Sequence, residues 1–518
     1  MKYTAACVTT MSLFLSTPAF AQSVYPGCSI SSLKSGHHTF YVDPVNGSMT
    51  GDGSASKPWS TLGDVLDPSK KLVATQSHAY PGYRNGTDIA LHAVNPNGPI
   101  KAGDLILLKT GNHGKPKLSN MFNSDFITIA AAPGATPIVG QIDIASSAKW
   151  LFQGLTFEGV AVAATGATSV PAAPTGILNA LNLVTVGQGD WIGQTSDIAF
   201  TDDTFRTAAS TSGWTDYDWY VKPMNYMFAI RSPCTSITNS HFVNVANAIA
   251  AAAPKVLVQG NIIESFSNDA IDISDSFQLI KGNTIRNGVN KVVDPLHADG
   301  IQGLSPTVNG VMVTNTNVVI DGNTITKSGD TAVSYLQGIS IFGGKWDGLV
   351  VQNNVVTTNH WNALAIYGAQ NSRVLNNTVV ASDPVGHPSW IQIHDGSDGT
   401  KSTALVRNNI ATVFNIQSPG TTLDHNIAAK EIDLPTGAVK SGTTGTANAV
   451  LPAVLTGFMT LNTTSGAFDM RLRSTSPAIG FGTLLGAPAL DIMGNTRSTP
   501  VDIGAYNHTD TSLSAVSK

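Results

Sequence analysis

Charge is scarce in this 518-residue chain: Lys, Arg, Asp and Glu together make up 12% of it, and the formal net charge is -5. Its Lys and Arg form no cluster, so the chain offers no basic face to neutralise a phosphate backbone, and a nucleic-acid partner is excluded. Beyond the first residues no run of about 18 apolar side chains is free of Asn, Gly or charge, so no membrane-spanning segment is expected. Cysteine is nearly absent, with three residues, too few for a disulfide scaffold. Long amphipathic segments of helical period are missing as well. What is abundant is glycine, 49 residues, together with Asn, Thr, Val and Ile through the middle of the chain. That composition suits strands and tight turns, and an all-β protein is expected.

The opening stretch MKYTAACVTTMSLFLSTPAFAQS sets Lys2 before a short apolar segment and ends in Ala19-Phe20-Ala21. This is the pattern of an export signal, residues 1–21, cut after Ala21, so a secreted or periplasmic protein is expected. Cleavage removes Cys7. Cys28 and Cys234 then either pair in an oxidising compartment or remain as two thiols.

An Asn phrase recurs as VQGNII, IKGNTI, IDGNTI, VQNNVV, VLNNTV and VRNNIA, with its second Asn-position residue at 261, 283, 323, 354, 377 and 409. The intervals of 22, 40, 31, 23 and 32 fit a unit near 22 with insertions, the period of a coiled β solenoid with loops of varying length. A second phrase, an apolar residue behind a small one, aligns Ile230, Ile249, Ile271, Ile301, Ile339, Leu364 and Ile391 as an inward ladder. Because alternate strand residues face opposite sides, the next residues form an outward column: Arg231, Ala250, Asp272, Gln302, Ser340, Ala365 and Gln392. Rungs about 4.8 Å apart make such a column a surface for a linear polymer.

These repeats resemble the right-handed parallel β-helix proteins, many of them exported polysaccharide lyases and hydrolases. FYVDPVNGSMTGDGSASKPWSTLGDVL is similar to their entry segment, AGDLILLKTGNHG to a first coil, and DIMGNTRSTPVDIGAY to a closing segment. The resemblance implies an N-terminal cap over 22–100, a β-helix over 101–430 and a trailing segment over 431–518. One such fold carries several chemistries, so the reaction must be read from the site.

SNDAIDISDS holds Asp269, Asp272 and Asp275 within seven residues, and Asp299 stands two residues before Ile301 as Asp269 does before Ile271. Oxygen ligands so spaced, from neighbouring coils, suit Ca²⁺. Asn268, Asp269, Ala270, Ile271 and Asp272 resemble the Asn-x-Asp-Gly-x-Asp calcium motif of pectate-lyase-type enzymes, which implies Asp269, Asp272 and Asp299 as metal ligands. The competing reading is that these acids cap turns.

DPLHAD resembles the Asp-Pro-His-Asp/Glu motif of mannuronan epimerases, with Leu296 inserted. A uronate-cleaving site needs a base for the C5 proton and a cation for the substrate carboxylate. The lysine base of pectate lyases has no counterpart on the 299–305 strand. The expected catalytic set is therefore His297 as base, Arg231 as cation and Asp299 beside them. Expected substrate contacts are Gln302, the aromatics Trp214, Trp219 and Tyr220 of the insertion GWTDYDWYVKPMNYMF, and Tyr367, Gln392 and His394 on later coils. The function expected is a polysaccharide lyase acting by β-elimination on an acidic polysaccharide, as a single chain. The alternatives are a glycoside hydrolase, to whose polygalacturonase motif HADGI is similar, a uronate epimerase, and a non-catalytic polysaccharide-binding solenoid.

Overall fold

The computed structural model describes residues 28–29, 36–161, 181–289, 298–327, 335–382, 387–434, 439–440, 448–462 and 467–508. The stretch expected to be an export signal, residues 1–21, and His297 lie outside them. Successive coils of the chain stack as a parallel β-helix, each coil passing through three sheet faces. The first face runs from Thr39–Val42 through Leu105–Leu108 and on to Val439–Lys440, every successive pair along that path parallel. The other two faces are built from strands such as Thr284–Arg286 and Asp299–Leu304, joined in one long sheet. Thr39–Val42, within the segment expected as the N-terminal cap, pairs in parallel with Leu105–Leu108.

The Asn phrase is a corner. Its first position takes a left-handed backbone, at Gly260, Gly282, Gly322, Asn353, Asn376 and Asn408, with φ between 52° and 68°. Only Gly, or Asn at small cost, tolerates that conformation routinely. The second position carries a buried Asn ladder. Asn354 Nδ2 donates to Ile320 O and to Asn377 Oδ1, both at 3.0 Å, while its Oδ1 accepts from the Asn323 backbone N–H and side chain at 2.8 and 3.0 Å. The same exchange runs from Asn261 through Asn283, Asn323, Asn354, Asn377 and Asn409, and continues to Asn426 and Asn448. A buried amide is stable there because all its hydrogen bonds are made.

At three of these corners the Asn side chain also holds the trailing segment that folds back over the coils. Asn376 Nδ2 donates to Asp502 O, Asn408 Nδ2 to Thr483 O, and Asn353 Oδ1 accepts from Arg497.

The interior is aliphatic toward the C-terminal end and aromatic toward the N-terminal end. Phe152 stacks on Phe200 at 4.5 Å, Phe157 on Phe205 at 5.0 Å and Phe205 on Phe242 at 4.7 Å. Such rings each remove a large apolar area from water. Cys28 and Cys234 form a disulfide across 206 residues, tying the start of the described chain to the first face.

Candidate functional site

The third face carries the polar column. Its register pairs Ala250 with Asp272, Asp272 with Gln302, Gln302 with Ser340, Ser340 with Ala365 and Ala365 with Gln392. The inward ladder is Ile249, Ile271, Ile301, Ile339, Leu364 and Ile391, as the phrase alignment requires.

Arg231 departs from that alignment. Phe228, not Ile230, pairs with Ile249, so Ala229 stands in the column and Arg231 lies two residues beyond it, past the strand Tyr226–Ile230. The reason is packing: Phe228 points inward against Phe200 at 4.7 Å and Phe205 at 5.5 Å. Letter-matching of Ala-Ile pairs slipped this coil by two residues. Arg231 is exposed and its charge still acts on Tyr226.

A second polar row lies where each coil turns into the third face. There Asn247 precedes Asp269, which precedes Asp299, Gln337 and Asn362. Asn247 Nδ2 donates to Asn225 Oδ1 at 3.1 Å, the Asp269 backbone N–H donates to Asn247 Oδ1 at 3.0 Å, and the Asp299 N–H donates to Asp269 Oδ1 at 2.9 Å. Asn362 Nδ2 donates to Gln337 Oε1 at 3.1 Å. Between row and strand stands a small residue, Ala248, Ala270, Gly300, Gly338 or Ala363. The position is crowded: a Cβ at Gly338 would lie 2.0 Å from Ala363 O. Across it the side chain three residues back meets the column, so Gln302 Nε2 donates to Asp299 Oδ2 at 2.9 Å and Ser340 Oγ to Gln337 Oε1 at 3.3 Å.

Tyr226 occupies the register of Asn247 one coil earlier, and its hydroxyl donates to Asp272 Oδ2 at 2.8 Å. Burial pushes the Asp272 carboxyl up to about 6, with the Tyr226 hydrogen bond opposing. Burial, then the Asp272 charge, push the Tyr226 phenol well above its ordinary range. Asp272 Oδ1 has no hydrogen-bond partner among the described residues. The result is a carboxyl that titrates near neutrality, hydrogen-bonded to a phenol that keeps its proton.

Two of the three acids expected to hold calcium, Asp269 and Asp299, accept hydrogen bonds from the chain itself. Asp269 is a corner cap whose oxygens accept the Asp299 N–H and Asn268 Nδ2, and Asp299 Oδ2 accepts an amide donor. Among the described residues no three acid, histidine or cysteine side chains gather as metal ligands do. The turn-capping reading of Asp269 is the one its hydrogen bonds match. Burial also pushes the Asp275 carboxyl up, and its Oδ1 accepts the neighbouring Ser276 N–H.

The aromatic insertion folds into the helix Asp216–Val221, capped by Thr215 and Asp218. Trp219 and Tyr220 are buried at 8% exposure rather than lining a groove, because the helix lies on the coil corner, where Ser267 Oγ bonds Trp219 O. Trp214 remains half-buried against Trp219 at 4.9 Å. On later coils Tyr367 and His394 pair in register and their rings lie 4.9 Å apart, with the Tyr367 hydroxyl donating to Gln392 Oε1 at 2.7 Å. Tyr226 lies within the insertion GWTDYDWYVKPMNYMF and is not among the expected site residues. Its signal was present: Tyr226 stands two residues before the inward Phe228, as Asp269 does before Ile271. Tyr335, His360 and His387, which ring Trp361, carried no repeat signal at all.

Residues 226–411 match the family model described as the right handed beta helix region, and the fold is a right-handed parallel β-helix. No curated protein matches the chain. Among solved structures the chain is similar to the pectate lyase Pel9A, at 15% identity over 92% of this chain and 98% of that one, with a TM-score of 0.43. It is also similar to the A-module of an Azotobacter vinelandii mannuronan C-5 epimerase, at 11% identity over 67% and 87% of the two chains, TM-score 0.39. A Eubacterium ramulus lacto-N-biosidase matches at 13% identity over 77% and 68%, TM-score 0.40. At such values the likeness is one of fold, and their three different reactions remain their own.

Proposed function

We propose that the protein is an exported enzyme that cleaves a uronate-containing polysaccharide by β-elimination, with Asp272, Tyr226 and Arg231 as the reacting set. The observation that carries this reading is the 2.8 Å bond between the Tyr226 hydroxyl and a carboxyl whose proton is lost near pH 6. Ionised Asp272 takes the C5 proton. The C4–O4 bond breaks as the C4–C5 double bond forms, and the Tyr226 hydroxyl supplies the proton that the leaving O4 needs. Asp272 then returns its proton to Tyr226 along their hydrogen bond, and the pair is reset. Arg231, the cation whose charge acts on Tyr226, offsets the substrate carboxylate. Gln302, held by Asp299, offers its remaining polar groups to sugar hydroxyls one coil on.

Hydrolysis is the second reading, favoured by one observation: Asp272, with its raised pKa, lies one coil from Asp299, whose Oδ2 is held by Gln302, so two carboxyls sit in unlike settings. One assay separates the two. Digestion that produces the ultraviolet absorbance of an unsaturated uronate supports elimination, whereas new reducing ends without that absorbance support hydrolysis and overturn the first reading.

A further inference from the structure

The third face changes character past Gln302. Over the next three coils, Gln337–Gly343, Leu364–Tyr367 and Trp390–His394, the column becomes Ser340, Ala365 and Gln392, and rings lie on both sides of it. On the side where the chain enters the strands, Trp361 stacks with Trp390 at 6.4 Å and 24° and meets His387 at 4.6 Å, and His387 meets Tyr335 at 5.0 Å. Trp361 is 42% exposed and Tyr335 36%. On the side where the chain leaves, Phe342, Tyr367 and His394 follow one another at 5.0 and 4.9 Å. The small residues Ser340 and Ala365 have no exposed surface, so the rings around them, and not the column itself, meet solvent.

These rings are fixed rather than loose. Trp390 Nε1 donates to Asn362 Oδ1 at 3.1 Å, and Asn362 donates in turn to Gln337, which belongs to the same corner row as Asp299. The aromatic strip therefore continues the polar shelf without a break, beginning about 10 Å from Asp272 at two rungs of separation. A sugar residue in an extended chain advances by a distance close to one rung, so a glycan lying along the axis meets one coil per sugar.

We infer that this strip is a run of polysaccharide subsites for neutral sugars, so that the substrate is a heteropolysaccharide and not a polymer of consecutive uronates. The inference rests on the reading of the Asp272 end as the cleavage centre and adds the chemistry of what is bound beside it. Indole and phenol faces stack on the C–H faces of sugars. Among the described residues the column here, Ser340, Ala365 and Gln392, carries no Lys or Arg to meet consecutive carboxylates, and the imidazoles of His387 and His394 lie against rings. Lys345 and Lys401, on the segments leaving these strands, are paired with Asp398 and Asp395.

The test is native electrophoresis of the full chain in gels that contain gellan, xanthan, glucuronoxylan, alginate or polygalacturonate. Retardation is expected in at least one of the first three and not in the last two. Trp361→Ala should cut the affinity about tenfold, as loss of one stacking platform does, and Tyr367→Phe, which keeps the ring, should leave it within about twofold. Trp191→Ala, on a distant exposed indole, should change nothing. Retardation confined to alginate and polygalacturonate overturns the inference, as does retardation in none of the five or retention unaffected by Trp361→Ala. Retardation without cleavage keeps it and removes the catalytic reading instead.

Discussion

Replacing Asp272 by Asn should make the protein more stable at pH 8 while abolishing its activity. The folded pKa of about 6 lies above the ordinary aspartate value of 3.8, so between these values the fold holds a proton that the unfolded chain has released. Stability therefore falls as pH rises from about 4 to 6, and above that range the ionised carboxylate costs the fold its full penalty. A shift of about two units at about 1.4 kcal/mol per unit puts that penalty near 3 kcal/mol. Asn keeps an oxygen for the Tyr226 hydroxyl, but its amide group takes the place of Asp272 Oδ1, which has no partner among the described residues. Leaving that donor unpaired returns roughly 1–2 kcal/mol, so the net gain at pH 8 is about 1–2 kcal/mol. For an ordered chain of this length, entropy of unfolding makes that a rise on the order of 1–2 °C in Tm. Melting curves of both proteins at pH 4, 6 and 8 should show a gap that opens with pH. Turnover should fall at least about a hundredfold, the usual worth of a proton-transfer group. A variant less stable than the parent by the same amount at all three pH values would refute the burial argument, and retained turnover would move the chemistry elsewhere.

The pH dependence of turnover should distinguish the two modes of cleavage: elimination needs ionised Asp272 and rises through about pH 6, whereas an acid-catalysed hydrolysis falls there. Asn354→Ala should cost about 3–5 kcal/mol in urea unfolding, because it strands the Asn323 N–H and the Ile320 carbonyl inside the corner and takes from the Asn323 side chain its acceptor; a loss under 1 kcal/mol would mean the ladder relaxes. Chelator should leave melting and turnover unchanged, since the carboxyls of Asp269 and Asp299 are engaged by donors of the chain; a drop in Tm on chelation would show a metal site.

The sequence by itself determined the coil. A left-handed corner favours Gly or Asn and a buried ladder needs Asn at one fixed place, so the phrase Gly-Asn or Asn-Asn marks this corner on six successive coils in the letters. The inward Ile ladder followed from the period of two, and it placed Asp272 and Gln302, and likewise Tyr367 and His394, on neighbouring rungs as the structure has them. Where a coil's inward residue is an aromatic, the letters misled. Phe228 fills the Ile249 position because the phenylalanine stack of the neighbouring coils receives it, and only that three-dimensional packing shifts Arg231 out of the column and brings Tyr226 to Asp272. The partners of the acids are set at the same level: Asp-rich spacing is equally compatible with an ion and with backbone capping, and only the stacked coils aim the Asp299 N–H at Asp269. The aromatic insertion could have walled a cleft by composition alone, but it buries Trp219 and Tyr220 in a short helix. The exposed rings lie instead on Trp361 and its neighbours, residues brought together from three coils. Local backbone requirements repeat at a fixed period and are written in the sequence, whereas the meeting of side chains from different coils depends on insertions of varying length, and those are resolved only when the coils are stacked.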